Sequence, residues 1–265
     1  MEVGNTFNDL QSYLDNMAKG LEDKLFFLKH LPRDKKYIFV DFGCADGSLI
    51  EAMYHMAPWH VYIGYDISKT MIVVAKNKFS QDSKNVLFTS DWTTVTNKID
   101  NYPKNYQVIT ILSSVVHEIY SYAENSSEID KTFSRIFEIS DTICIRDMMC
   151  SKDFDRFADS ELYEKVKLSN NPLISDFEEH WGSITTVRNL IHFLLKYKWT
   201  INWDREVNEN YFPIAIEDFL KMFEKDYNLV YLERFRNPFL ELHWQEDFGI
   251  KLDDYTHVKL IFQLK

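Results

Sequence analysis

Cysteine is scarce in this chain, with three among 265 residues: Cys44, Cys144 and Cys150. The odd count and the lack of any CxxC pair or cysteine–histidine ligand spacing argue against a disulfide framework and a structural zinc site. Long apolar runs are also missing; none approaches the roughly 20 residues that cross a bilayer. The first residues have neither a basic stretch nor an apolar core of the secretory type, so a cytoplasmic location with no membrane partner is expected. Positive charge is in deficit. Thirty Lys and Arg against 41 Asp and Glu give a net charge of −11, which opposes non-specific attraction to a polyanion. Seven glycines and six prolines leave little material for flexible linkers. What is abundant is apolar: 45% hydrophobic and 15% aromatic residues against 27% charged, enough to bury a sizeable core.

Periodicity organises that apolar material. Phe7, Leu10, Tyr13, Leu14 and Met17, then Leu21, Leu25 and Leu28, recur at helical spacing up to Pro32. Tyr37–Val40 reads as a buried strand, followed by a tight turn and a helix over Ser48–Met56. A second strand, Val61–Tyr65, ends at Asp66, and Ser68 is placed to cap a helix over Lys69–Lys78. Strands at Val86–Thr89, Gln107–Leu112 and Thr142–Ile145 follow, with a helix over Glu128–Ile139 before the last. Five strands alternating with helices require a parallel sheet covered on both faces, because parallel neighbours need crossover connections.

From about Cys150 to Tyr211 the pattern is helical, with segments at Asp153–Lys167, Ile174–Trp181 and Ile184–Tyr197. The alternation then resumes with a helix at Ile216–Asp226 and strands at Leu229–Phe235 and Thr256–Leu264. The expected fold is a doubly wound, Rossmann-like α/β sheet of seven strands, mostly parallel with the last antiparallel. It carries a helical insertion between strands five and six. In domain terms this gives an N-terminal helical cap over 1–36, a core over 37–149 and 213–265, and the insertion over 150–212.

The turn after the first strand reads Asp41-Phe-Gly43-Cys-Ala45-Asp-Gly47. Small residues at alternate positions let the backbone approach a ligand, and the amides of the next helix can hold a polar group. Asp66 stands 23 residues beyond Gly43 at the tip of the second strand. An acid there accepts hydrogen bonds from a ribose diol at the crevice where strand order reverses. Neither a G-x-G-x-x-G dinucleotide fingerprint nor a P-loop is present.

These residues resemble the first motif of class I S-adenosylmethionine-dependent methyltransferases, [D/E]-x-G-x-G-x-G, with Ala45 replacing the middle glycine. The resemblance extends to Asp66, to Asp91-Trp92 after strand three, to Ser113-Ser-Val-Val-His-Glu-Ile-Tyr120 after strand four, and to the two closing strands. It implies S-adenosylmethionine as cofactor. Gly43 with Gly47 would lie against its methionine part, Asp66 at the ribose hydroxyls, and Asp91 with Trp92 at the adenine, with Asp41, Ala45, Ile67 and Ser113 as further cofactor contacts. The strand-four loop faces the donor methyl in that family. His117 is therefore the candidate general base, because an imidazole titrates near neutral pH, with Glu118 to orient it or to bind substrate. The alternative is that this pair opens a helix and packs against the cofactor. His117-Glu118 is not a zincin motif, since position 121 is Ser, and no metal is expected.

Tyr120 in the same loop and Arg146 at the end of strand five are candidate substrate contacts, although Arg146-Asp147 also reads as a structural ion pair. In the insertion, Arg188, His192 and Lys196 recur every four residues with Trp181, Trp199 and Trp203 nearby. Arg188 and His192 are thus candidates for clamping a nucleotide or RNA, or members of an ordinary solvated helix face. No Pro-Cys nucleophile setting and no Asn/Asp-Pro-Pro-aromatic sequence after strand four is present, and Asn237-Pro238-Phe239 reads as a turn. A small-molecule acceptor is the first expectation and RNA or tRNA the second. A catalytically silent cofactor-binding subunit of a protein partner is the third.

Overall fold

In the computed structural model, which describes residues 20–79 and 84–265, seven strands form one sheet in the order β3-β2-β1-β4-β5-β7-β6. The strands are β1 Lys36–Phe42, β2 Val61–Tyr65, β3 Val86–Thr89, β4 Tyr106–Ser113, β5 Thr142–Met148, β6 Tyr227–Phe235 and β7 His257–Leu264. The first five pair in parallel, and β7 is antiparallel to both β5 and β6. The expected fold class is therefore the observed one. Expected cap positions from Phe7 to Met17 lie outside the described residues. The described chain enters through a short helix, α1 Leu21–Lys24, and a 3-10 turn, Phe26–His30.

Side chains on successive strand residues point to opposite faces, and β1 uses both. Tyr37 and Phe39 pack with Phe27, Tyr62 and Ile109 on one side, while Ile38 and Val40 pack with Val61, Ile63, Val95 and Val108 on the other. Strand order reverses between β1 and β4, and this opens a crevice at their C-terminal ends. Helices α2 Ser48–Met56, α3 Lys69–Lys78 and α4 Trp92–Asp100 follow the first three strands. Helices α5 Val116–Tyr122 and α6 Ser126–Ile139 connect β4 to β5. The Ser68 hydroxyl accepts from Met71 N, so α3 begins where its cap predicts.

Between β5 and β6 lie α7 Ser160–Leu168, α8 Leu173–Trp181, α9 Val187–Lys196, α10 Trp203–Glu206 and α11 Ile216–Lys221. The helix expected over Asp153–Lys167 is broken in two. A 3-10 turn covers Lys152–Asp155, and Asp159 starts α7 by accepting from Glu161 N at 2.8 Å. Asn237-Pro238 is not a turn but the start of a further helix, α12 Pro238–Phe248. The Asn237 carboxamide oxygen accepts from Phe239 N at 3.0 Å, and the proline takes a position whose missing N–H costs nothing. Leu240, Trp244 and Phe248 on α12 join the buried residues of α8 and α9 in one apolar cluster. The helical insertion therefore shares its core with the connection between β6 and β7.

Candidate functional site

A cavity of about 1420 Å³ opens over the crevice at the C-terminal ends of β1, β2, β4 and β5. One side of it is the turn after β1. Gly43 and Gly47 adopt left-handed φ values of 80° and 75°, and a Cβ on Gly43 would meet Val115 Cγ2 at 2.7 Å. Ala45 also has a positive φ, 44°, which costs a non-glycine residue strain. Opposite the turn, Asp66 accepts from Ala45 N at 2.9 Å through Oδ2 and from Ser68 N at 2.8 Å through Oδ1. The turn and the second-strand acid are thus joined directly. Burial raises the Asp66 pKa, opposed by the two amides. Each carboxylate oxygen keeps a lone pair for a further donor.

Ile67, 60% exposed, and Trp92 flank this acid in the cavity wall, and Trp92 is braced edge-on by Tyr65 and Phe42. Ser113 also lines the cavity, and its Oγ is buried without a hydrogen-bond partner among the described residues. Asp41 is buried beneath the turn. Burial, augmented by Asp66 and Asp46 and opposed by Lys24, pushes its pKa up to about 7.

The other side of the cavity is built from α5 and the insertion. His117 is buried, with its ring edge-on to Tyr211. Its Nδ1 donates to Asp147 Oδ1 at 2.7 Å, and Asp147 Oδ2 accepts from Val116 N at 2.7 Å, so one carboxylate fixes both the ring and the first turn of α5. Nε2 lies 3.7 Å from Glu209 Oε2. Burial disfavours the imidazolium, but Asp147 and then Glu209 outweigh it, and the pKa of His117 is pushed up to about 10. Asp147 and Glu209 therefore favour the charged, donating form of His117 over the neutral imidazole that a general base requires.

Glu118 does not orient it. Its Oε1 accepts from Arg205 Nη2 at 2.7 Å, and burial and the neighbouring Glu209 raise its pKa against the pull of Arg205. Glu209 Oε1 accepts from the Tyr122 hydroxyl at 2.7 Å and forms an ion pair with Arg205 Nε at 2.8 Å. Despite its burial, Glu209 is held well below the usual carboxylate range by His117 and Arg205. Beyond the ion pairs, Trp199 stacks on Phe239 at 6.0 Å, and both line the cavity with Ile201 and Leu240.

No protein-family profile and no curated protein sequence matches the chain. Solved structures do match it. A S-adenosylmethionine-dependent methyltransferase from Anabaena variabilis superposes with a TM-score of 0.53 at 11% identity, over 98% of this chain and 87% of that one. The pyocyanin biosynthetic protein PhzM gives 0.52 at 12% identity, over 96% of this chain and 58% of that one. A S-adenosylmethionine-dependent methyltransferase from Mesorhizobium loti gives 0.50 at 12% identity, over 90% and 95%. The chain has the class I methyltransferase fold.

On this methyltransferase fold the sequence candidates divide. Gly43, Ala45, Asp66, Ile67, Trp92, Ser113, His117, Glu118 and Arg146 all reach the cavity wall. Gly47 lies behind it, where a Cβ would meet the Phe88 ring at 2.7 Å. Asp91 is exposed and does not line the cavity. Its carboxylate caps α4, accepting from Thr93 N and Thr94 N at 3.1 Å each. Tyr120 turns from the cavity to pack on Phe133 and donates to Met222 Sδ.

Arg146 and Asp147 are not a pair. Both belong to β5, where neighbours face opposite ways, and Arg146 Nε binds Asp23 at 2.9 Å while Nη1 reaches Ser114 Oγ at 3.2 Å. Arg188 is tied to Asp155, Cys150 and the Phe212 carbonyl, and His192 is buried against Trp181 and Phe177. Lys196 is fully buried and donates to the Glu206 and Glu209 carbonyls. His192 and Lys196 of the α9 stripe are therefore buried braces, and Arg188 is half-buried in an ion pair with the exposed Asp155. Asp147, Arg205 and Glu209 join the cluster around His117 without a sequence signal of their own. Asp147 was legible only as half of a dipeptide, and 203–211 carries no motif.

Proposed function

We propose that this chain is a S-adenosylmethionine-dependent methyltransferase acting on a small-molecule acceptor. One observation carries the reading: the Asp66 carboxylate is hydrogen-bonded to the backbone of the Gly43–Gly47 turn, and both front the same cavity. Residues there fit the cofactor. Asp66 has acceptor capacity for a ribose diol, the exposed Ile67 and Trp92 offer an apolar slot for a purine, and the orphaned Ser113 Oγ awaits a polar partner. The bound cofactor supplies an activated methyl on a sulfonium, so the protein's task is to align an acceptor lone pair in line with it and to exclude water.

That alignment is assigned to α5 and the insertion. Glu118, Arg205 and Glu209 offer polar contacts, and Trp199, Ile201 and Phe239 an apolar wall. A small molecule is favoured because the net charge is −11 and His192 and Lys196 of α9 are buried. Incubating the chain with methyl-labelled donor and cell extract separated into small-molecule, RNA and protein fractions tests this. Label should enter the small-molecule fraction. Label confined to RNA or protein contradicts the acceptor class, and donor binding with no transfer to any fraction supports a silent subunit instead.

A further inference from the structure

The acceptor side of the cavity holds a constellation that methyl transfer alone does not require. His117, Glu118 and Glu209 each offer one potential ligand atom, and these atoms lie within 4.8 Å of one another. Their outer atoms are already engaged. Asp147 takes Nδ1 of His117, which leaves Nε2 on the Glu209 side. Tyr122 and Arg205 take Oε1 of Glu209, which leaves Oε2 facing Nε2, and Arg205 takes Oε1 of Glu118.

The separation of Nε2 and Oε2, 3.7 Å, is too long for a hydrogen bond. It is close to the spacing of about 3.0–3.4 Å between two adjacent ligands that each sit about 2.1 Å from a shared metal. In metal sites the ligating imidazole passes its second N–H to a carboxylate, and ligating carboxylates are held by outer donors. Asp147, Arg205 and Tyr122 supply such outer partners from three separate elements.

We infer that His117 Nε2, Glu209 Oε2 and Glu118 bind one divalent transition-metal cation. One imidazole nitrogen with two carboxylate oxygens suits zinc, manganese, iron(II) or cobalt better than calcium, which takes an all-oxygen shell. The cation replaces the proton on Nε2, and Arg205 keeps its hold on the outer carboxylate oxygens. Three protein ligands leave coordination positions open, and all three residues line the cavity, so the open positions face the acceptor compartment. The purpose rests on the methyltransferase reading: the acceptor ligates the cation through an oxygen or nitrogen and is thereby held against the methyl donor.

The test uses the full chain, stripped with a chelator and titrated with Zn²⁺ by calorimetry and with Co²⁺ by visible absorption. One equivalent of each should bind, and Co²⁺ should develop ligand-field bands. Glu118→Gln, at a partly exposed position, should weaken Zn²⁺ binding at least tenfold. His117→Ala should abolish it, and Asp147→Asn should weaken it about 10–100-fold. S-adenosylhomocysteine titrated into the same preparations reads the cofactor site separately. No Zn²⁺ binding by the wild type, or equal binding by Glu118→Gln and His117→Ala, overturns the metal site. Intact S-adenosylhomocysteine binding in that case leaves the methyltransferase reading standing.

Discussion

Asp147 is the residue whose loss the structure makes most consequential. It is fully buried, and its two oxygens hold the first turn of α5 and the His117 ring. Asp147→Ala leaves a buried imidazolium without its nearest counter-charge and a backbone N–H without an acceptor. Removing one partner of a buried pair costs about 3–5 kcal/mol, a large share of the roughly 5–15 kcal/mol that holds a domain folded. At about 2–4 °C per kcal/mol for a chain this size, the melting temperature should fall by roughly 6–20 °C. The pH dependence gives a sharper test. With its folded pKa pushed up to about 10 by Asp147 and Glu209, against about 6.5 in the unfolded chain, His117 stabilises the fold fully below about pH 6.5. That contribution is lost as pH rises through the folded value. Denaturant unfolding of chelator-treated wild type and Asp147→Asn at pH 6, 8 and 10 should show a stability gap that narrows as pH rises. A gap that stays constant or widens refutes the charged His117–Asp147 pair.

Other expectations follow from single contacts. Asp66→Asn should weaken S-adenosylhomocysteine binding about a hundredfold, two charge-assisted hydrogen bonds at about 1.5 kcal/mol each. A calorimetric change below threefold contradicts the ribose assignment. Ala45→Gly relieves a positive φ of 44° and should raise stability by about 1 kcal/mol, read as a higher melting temperature; a drop would show that the turn is not strained at this position. Trp244→Ala removes a fully buried ring whose Nε1 donates to Leu194 O on α9 at 2.9 Å. It should cost about 3–5 kcal/mol and lower the insertion and the sheet in one transition. Two separated transitions would show that the insertion has a core of its own.

The sheet was legible because its signals are local. Apolar runs at Tyr37–Val40 and Val61–Tyr65, the Gly43–Gly47 turn and the Ser68 cap place the first βα units within a residue or two of where they lie. Ambiguity begins where one residue pair serves two structures. Asn237-Pro238 suits a turn and equally a helix start, and exposed Phe239 and Leu242 blur the stripe of Leu240, Trp244 and Phe248. On α9 a four-residue polar repeat reads as a solvated face, yet this helix is packed on both sides, and Lys196 is held by carbonyls from a segment 10 and 13 residues away. The Asp66 side of the cavity comes from two adjacent strand ends with recognisable spacing. The opposite side joins His117, Asp147 and Glu209 from three distant segments, and no local pattern records that convergence.

Calorimetric titration of S-adenosylhomocysteine into the wild-type chain tests the central claim most directly. A single saturable site with one equivalent bound, unmatched by NAD, is the predicted result. No binding up to millimolar ligand by folded protein would contradict it.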